Sequence, residues 1–143
     1  MPQHRVDVAG HAVPTDHWIG GEWVPSVSQP ATFDDISPID ESVIGQVARG
    51  GTAEADAAVA AAKAAFPAWA STTPAERAAV LHRIAELVEQ RIDELAIVET
   101  TDNGALLRSH LRGVMPRVAH NFRFFADYLV NDLRHPPFET RGH

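Results

Sequence analysis

The chain has no cysteine among its 143 residues. That absence excludes a disulfide framework, a cysteine zinc site and any thiol nucleophile supplied from within it. Runs of Lys and Arg are missing too, and the formal net charge is -7. A balance of that sign argues against a nucleic-acid partner or an acidic membrane surface. No apolar stretch reaches transmembrane length, and residues 1–16 contain no apolar core of signal-peptide length. These absences point to a cytoplasmic protein with no membrane partner. Eight His are present, but no two stand at i, i+4 beside a carboxylate in the metalloprotease pattern. That argues against a catalytic metal site, and no internal repeat is evident.

What the chain does carry suits one small domain. Hydrophobic residues make up 45% of it. Much of that fraction is alanine, so the apolar volume is smaller than the percentage implies. Residues 1–16 are polar, small or interrupted by proline, and read as a loose arm. His17-Trp18-Ile19-Gly20-Gly21-Glu22-Trp23-Val24 is a hairpin signal. Its two glycines tolerate the positive φ angles of a tight turn between aromatic and β-branched flanks. A second pair of short strands is predicted at 32–37 and 43–48, joined by turn chemistry at Pro38 and Asp40.

Helical stretches follow. Thr52, with Glu54 and Asp56 in the first turn, is predicted to cap an alanine-rich helix that ends at Pro67. Thr73-Pro74-Ala75-Glu76 is a capping box. It opens a helix that should run to about Thr100, with Leu81, Ile84, Val88, Ile92 and Leu95 in one apolar stripe. Gly104 supplies a helix-ending position. A helical turn over 105–112 and a break or kink between Gly113 and Pro116 precede the last helix. There Val118, Phe122, Phe125 and Leu129 should share a face. Pro116 suits a first helical position, which would set Arg117 at a helix N-terminus, where free N–H groups favour an anion. A guanidinium at such a place can hold a carboxylate through paired hydrogen bonds. Spacing alone, however, favours an ordinary solvated Arg.

Taken in order, these stretches resemble the N-terminal portion of the NAD(P)-dependent aldehyde dehydrogenases. The hairpin at 17–23 is similar to that family's opening, as are Ile36-Ser37-Pro38 and Val43-Ile44-Gly45-Gln46-Val47. Residues 56–66 with Trp69 are similar to its first helix, residues 77–99 to its second, and Glu99-Thr100-Thr101-Asp102-Asn103-Gly104 to the element after it. The resemblance covers about residues 17–130. Within the family, Pro116-Arg117 and Asn121-Phe122-Arg123-Phe124-Phe125-Ala126-Asp127 look most like the 2-hydroxymuconate, aminomuconate and 5-carboxymethyl-2-hydroxymuconate semialdehyde dehydrogenases.

The resemblance implies an α/β fold by family, of which the part present is mainly helical with short antiparallel strand pairs. That part is an incomplete N-terminal portion of a Rossmann-like cofactor-binding domain. Residues 1–16 would be a flexible arm, 17–133 the N-terminal part of the cofactor-binding domain, and 134–143 the start of a truncated oligomerisation strand. It also implies that Arg117 contacts a substrate carboxylate and that Gly113 lines the substrate tunnel. Backbone carbonyls at Asp35 and Ile36, with the Asp102 carboxylate, would hold a sodium or potassium ion, a hard cation suited to oxygen ligands. The family's reaction needs a cysteine nucleophile, a glutamate-activated water and NAD or NADP. All of those groups belong to positions after residue 143, so no catalytic residue is expected here and the isolated chain is expected to be inactive. The expected function is therefore an N-terminal fragment of an aldehyde dehydrogenase that would oxidise a carboxylate-bearing semialdehyde to its acid. Its partners would be the small-molecule semialdehyde and the rest of the enzyme or a homo-oligomer. The alternative is a non-catalytic interaction or assembly module derived from that family.

Overall fold

The computed structural model describes residues 1–131, so the strand expected at 134–143 lies outside the described residues. Three antiparallel hairpins come first, each a separate two-stranded sheet. The first corrects the expectation of a loose arm: β1 (Arg5–Val8) pairs with β2 (His11–Pro14). Ala9 and Gly10 take φ of 51° and 88° in the turn, and the Asp7 carboxylate accepts the Gly10 N–H. Asp16 then ties the open end down. It is buried, and accepts the Gln3 N–H at 2.5 Å, the His4 N–H at 3.0 Å and a contact from His4 Nδ1 at 2.6 Å. Burial pushes its carboxyl up, but these bonds outweigh burial and leave it below the usual range. The alternation Val6, Val8 and Ala12, Pro14 around Ala9-Gly10 was the available signal.

β3 (His17–Ile19) and β4 (Glu22–Val24) form the expected hairpin, with positive φ at both Gly20 and Gly21. Trp18 and Trp23 face each other in register and meet edge to face at 4.8 Å. β5 (Thr32–Ile36) pairs with β6 (Val43–Ala48), with a register irregularity between Asp35 and Ile36. Gly45 lies so close to β1 that an added Cβ would collide with the Val6 side chain.

α1 (Thr52–Ala70) runs through Pro67 rather than stopping there. Only the one hydrogen bond that a proline N–H would have donated is lost, and the flanking turns carry the helix on. Gly51, not Thr52, is its N-cap. The side chain that secures this end is Glu54, which is buried. It accepts from the Gly51, Val27 and Ser28 backbone N–H groups and from the Ser26 and Ser28 hydroxyls. The Gly51 N–H, then the Ser28 hydroxyl, hold its carboxyl far below the usual carboxylate range.

The capping box opens α2 (Pro74–Gln90) as expected, with the Glu76 N–H donating to Thr73 and Glu76 accepting the Thr73 N–H. The helix expected to reach Thr100 is divided at Arg91, whose backbone (φ -120°, ψ 24°) leaves the helical region. α3 (Ile92–Asn103) then runs to Gly104, which takes φ 72° as a left-handed cap. An added Cβ there would meet Pro38 Cγ at 2.9 Å, so this cap packs against the β5–β6 turn.

The last helical region is α4 (Leu107–Ser109), a π-helical turn (His110–Val114) and α5 (Met115–Asn131). α5 lies antiparallel to α2, as Glu89–Arg123 and His82–Asp127 pairings show. The buried residues along this seam are alanines, Ala78 and Ala85 on one side and Ala119 and Ala126 on the other. Each pair is seven residues apart, two helical turns, so small side chains repeat along one line and the backbones approach closely. Of the predicted face, Val118, Phe122 and Leu129 are half-buried while Phe125 is 60% exposed, and the most deeply buried positions are Met115, Ala119 and Ala126. Among the described residues no large side chain is fully buried.

Candidate functional site

The π turn is where the candidate substrate residues come together. Met115 N–H bonds to the His110 carbonyl, five residues back rather than four. The wider ring inserts one extra residue into the helix, and Pro116, which has no N–H, follows directly. The helix is continuous through this point, so Pro116 is not a first helical residue and Arg117 is not at a helix N-terminus. The expectation of an anion drawn by free N–H groups beside Arg117 is corrected accordingly. The kink expected over Gly113–Pro116 is the π turn itself.

The extra residue has a directional effect. Arg108 and Arg112 are one ordinary turn apart, whereas Arg112 and Arg117 are five residues apart. On an ordinary α-helix a five-residue step would carry Arg117 well off that face. The π turn absorbs the surplus, and all three arginines line one open hollow of about 550 Å³ with Gly113, Ser109 and Asn121. No acidic residue among those described lines it. Among the described residues none of the three arginines takes part in an ion pair. A Cβ on Gly113 would meet nothing within 4 Å, so the glycine leaves that wall flat. His110, on the other side of the turn, is buried, and its Nδ1 lies 2.9 Å from Thr100 Oγ1. This pair fastens the π turn to α3. Arg108 and Arg112 were missed in the sequence because an α-helical projection scatters them from Arg117.

The candidate cation residues lie elsewhere, between β5 and the last turn of α3. Asp35 and Asp102 line one cavity of about 310 Å³ together with Val6, Val8, Asp16 and Glu99. Burial pushes the Asp35 carboxyl above the usual range. The adjoining Asp102 pushes the same way by its charge and by a shared hydrogen bond, and the Ile36 backbone N–H opposes both. Ile36 sits at the register irregularity with its side chain exposed. Among the described residues no group of three His, Asp or Glu side chains is gathered as a metal site. Asp35 and Asp102 offer carboxylate oxygens, the donor type a hard cation of low charge prefers. None of the described helices is long and apolar enough to cross a membrane.

Residues 23–139 match the model of the aldehyde dehydrogenase family. The chain is 43% identical over 114 residues to fluoroacetaldehyde dehydrogenase of Streptantibioticus cattleyicolor, covering 80% of this chain and 22% of that protein. It is 40% identical over 116 residues to 2-aminomuconic semialdehyde dehydrogenase of Bos taurus, covering 81% and 23%. Among solved structures it superposes on PnpE in complex with nicotinamide adenine dinucleotide with a TM-score of 0.77 at 38% identity, over 80% of this chain and 23% of that one. PnpE is from Pseudomonas sp. WBC-3. The chain thus spans between a fifth and a quarter of the length of these relatives.

Proposed function

The chain belongs to the aldehyde dehydrogenase family, and from that premise we propose that it supplies the N-terminal part of an enzyme oxidising a carboxylate-bearing semialdehyde with NAD or NADP. In this reading Arg117 receives the substrate carboxylate beside the flat wall at Gly113. The observation that carries it is the acid-free hollow in which Arg117 and Gly113 meet. Three cations with no carboxylate partner among the described residues, in a chain of net charge -7, are suited to an anion from outside. The 2-aminomuconic semialdehyde relative is consistent with that substrate class. No thiol nucleophile is available from these residues, which contain no cysteine. The chemical step therefore requires the remaining part of the enzyme, joined or assembled with this one in the cytoplasm. NAD or NADP would supply the hydride acceptor there, and the residues described here serve to orient the substrate's acid group.

The same reading includes a monovalent cation, sodium or potassium, at Asp35, Ile36 and Asp102. The raised Asp35 carboxyl supports it, because two adjoining acids favour either a shared proton or a positive charge between them.

Arg117→Ala, introduced into an enzyme carrying the remaining segments, tests the substrate reading. A hydrogen bond to a charged group contributes about 1.5–3 kcal/mol. The expected result is a roughly ten- to hundredfold fall in kcat/KM for a carboxylate-bearing semialdehyde, with a neutral aliphatic aldehyde nearly unaffected. Arg117→Lys should restore part of the loss, keeping the charge but not the fork. Equal losses for both aldehydes would place Arg117 in structural support and overturn the substrate class.

A further inference from the structure

Arg117 alone suffices for one carboxylate, yet the hollow presents three guanidinium groups. We propose that Arg108 and Arg112 form a second carboxylate position, so that the preferred ligand of this hollow is a flexible dianion. The substrate would then carry two carboxylates in addition to its aldehyde. This rests on the reading of the hollow as a carboxylate site and extends it from one acid group to two.

Three observations converge on that assignment. The first is the π turn, which brings Arg117 into the row already formed by Arg108 and Arg112. A helix without the extra residue would turn Arg117 away from the other two. The second is charge balance. A row of like charges is unfavourable unless something neutralises it, and neither the hollow's lining nor the ion pairs among the described residues do so. Elsewhere in the described residues Arg83, Arg91 and Arg123 each face a glutamate, whereas Arg5, Arg49 and Arg77, which also lack an acid partner, stand singly rather than in a row. The third is the character of the remaining lining. Ser109 and Asn121 add polar hydrogen-bonding groups, whereas Val114 and Val118 add an apolar strip. That combination suits a short carbon chain with charged ends.

Direct binding to the chain tests this without any turnover. Adipate and hexanoate share a six-carbon skeleton and differ in carrying two carboxylates or one. Both are titrated into the wild-type chain, followed by isothermal calorimetry and by NMR shifts of the arginine side-chain N–H groups. Exposed ion pairs contribute up to about 1 kcal/mol each, so adipate should bind about two- to fivefold more tightly than hexanoate. The double variant Arg108→Ala with Arg112→Ala should abolish that ratio, weakening adipate more than hexanoate. Arg117→Ala should weaken both acids. If the double variant leaves the adipate preference intact while Arg117→Ala still weakens both, the second position is overturned and the one-carboxylate reading stands. If Arg117→Ala changes neither acid, or neither acid binds, the reading of the hollow falls together with its extension. Melting curves of each variant, expected to match the wild type because all three side chains are exposed, show that the fold is intact.

Discussion

Two carboxylates join strand-rich and helical parts of this chain, and they are held in opposite ways. Glu54, at the start of α1, is surrounded by five donors from the 26–28 loop and Gly51. Asp35, facing the end of α3, meets another acid. The first junction is complete in itself, since every donor around the carboxylate is also satisfied by it. The second sets two acids against each other, with Asp35 half-buried and Asp102 exposed to water. Burial of an acid is thus not by itself a sign of a binding site. The difference lies in whether the protein surrounds the acid with its own donors or sets a second acid beside it.

Removing Glu54 should have the largest effect. Glu54→Ala removes five hydrogen bonds, leaving the Ser26 hydroxyl and the Ser28 N–H their second partners, and loosens the 26–28 loop; its Tm should fall further than that of any other single substitution proposed here. Glu54→Gln, which keeps shape but not charge, should fall in between. The pH dependence has a definite sign. Because the folded Glu54 carboxyl is lowered from 4.5, its stabilisation is present above that value and is lost as pH falls toward the lowered one. In the alanine variant that part of the acid limb should flatten; a limb identical to the wild type would place the acid sensitivity elsewhere.

Gly104→Ala probes the second junction by geometry rather than charge. A left-handed non-glycine residue costs roughly 1–2 kcal/mol, and the added methyl would also press on Pro38. Thermal melts should register a drop of several degrees, smaller than for Glu54→Ala. An unchanged Tm would mean that the turn at Pro38 yields freely.

Asp102→Asn should have the smallest effect and the opposite sign. Asp35 is raised from 3.8, so the neutral form favours folding below that value, and this contribution is lost as pH rises through the raised one. Removing the neighbouring charge should stabilise the chain at neutral pH by under about 1 kcal/mol, as suits a partly exposed pair. Sodium or potassium should raise the Tm of the wild type relative to tetramethylammonium at equal ionic strength, and should no longer do so in Asp102→Asn. Equal cation responses in the two proteins would remove the support for a cation at this junction.

Much of the fold was legible because it rests on local chemistry. Gly20-Gly21 required a tight turn, Thr73-Pro74-Ala75-Glu76 required a helix start, and Gly104 required a left-handed cap; all three are present. The hairpin at 5–14 has a local alternation, but its anchoring, like the α2–α5 seam, depends on partners more distant in sequence. The arm at 1–16 is fixed by Asp16 reaching back to Gln3 and His4, a contact no local pattern records. The α2–α5 seam was sought among large apolar residues, whereas close approach of two helices selects Ala78, Ala85, Ala119 and Ala126. In the candidate site, Arg117 and Gly113 could be singled out through family resemblance, and Asp35 and Asp102 likewise. Arg108 and Arg112 could not, because their alignment depends on a helical period that changes midway.

That change of period makes the π turn a phase setter between two independent demands. Upstream, the row of arginines needs one angular position; downstream, Ala119 and Ala126 must meet α2 at another. In an unbroken α-helix the two angles would be locked together at about 100° per residue. The additional residue between His110 and Met115 uncouples them once, at a fixed point, and Thr100 clamps that point through His110. A single-residue deletion there would leave every side chain of α5 chemically unchanged yet rotate its alanine line off α2 or its arginine out of the row. Sequence length in this turn therefore sets the relative placement of arginine row and alanine seam as much as sequence identity does.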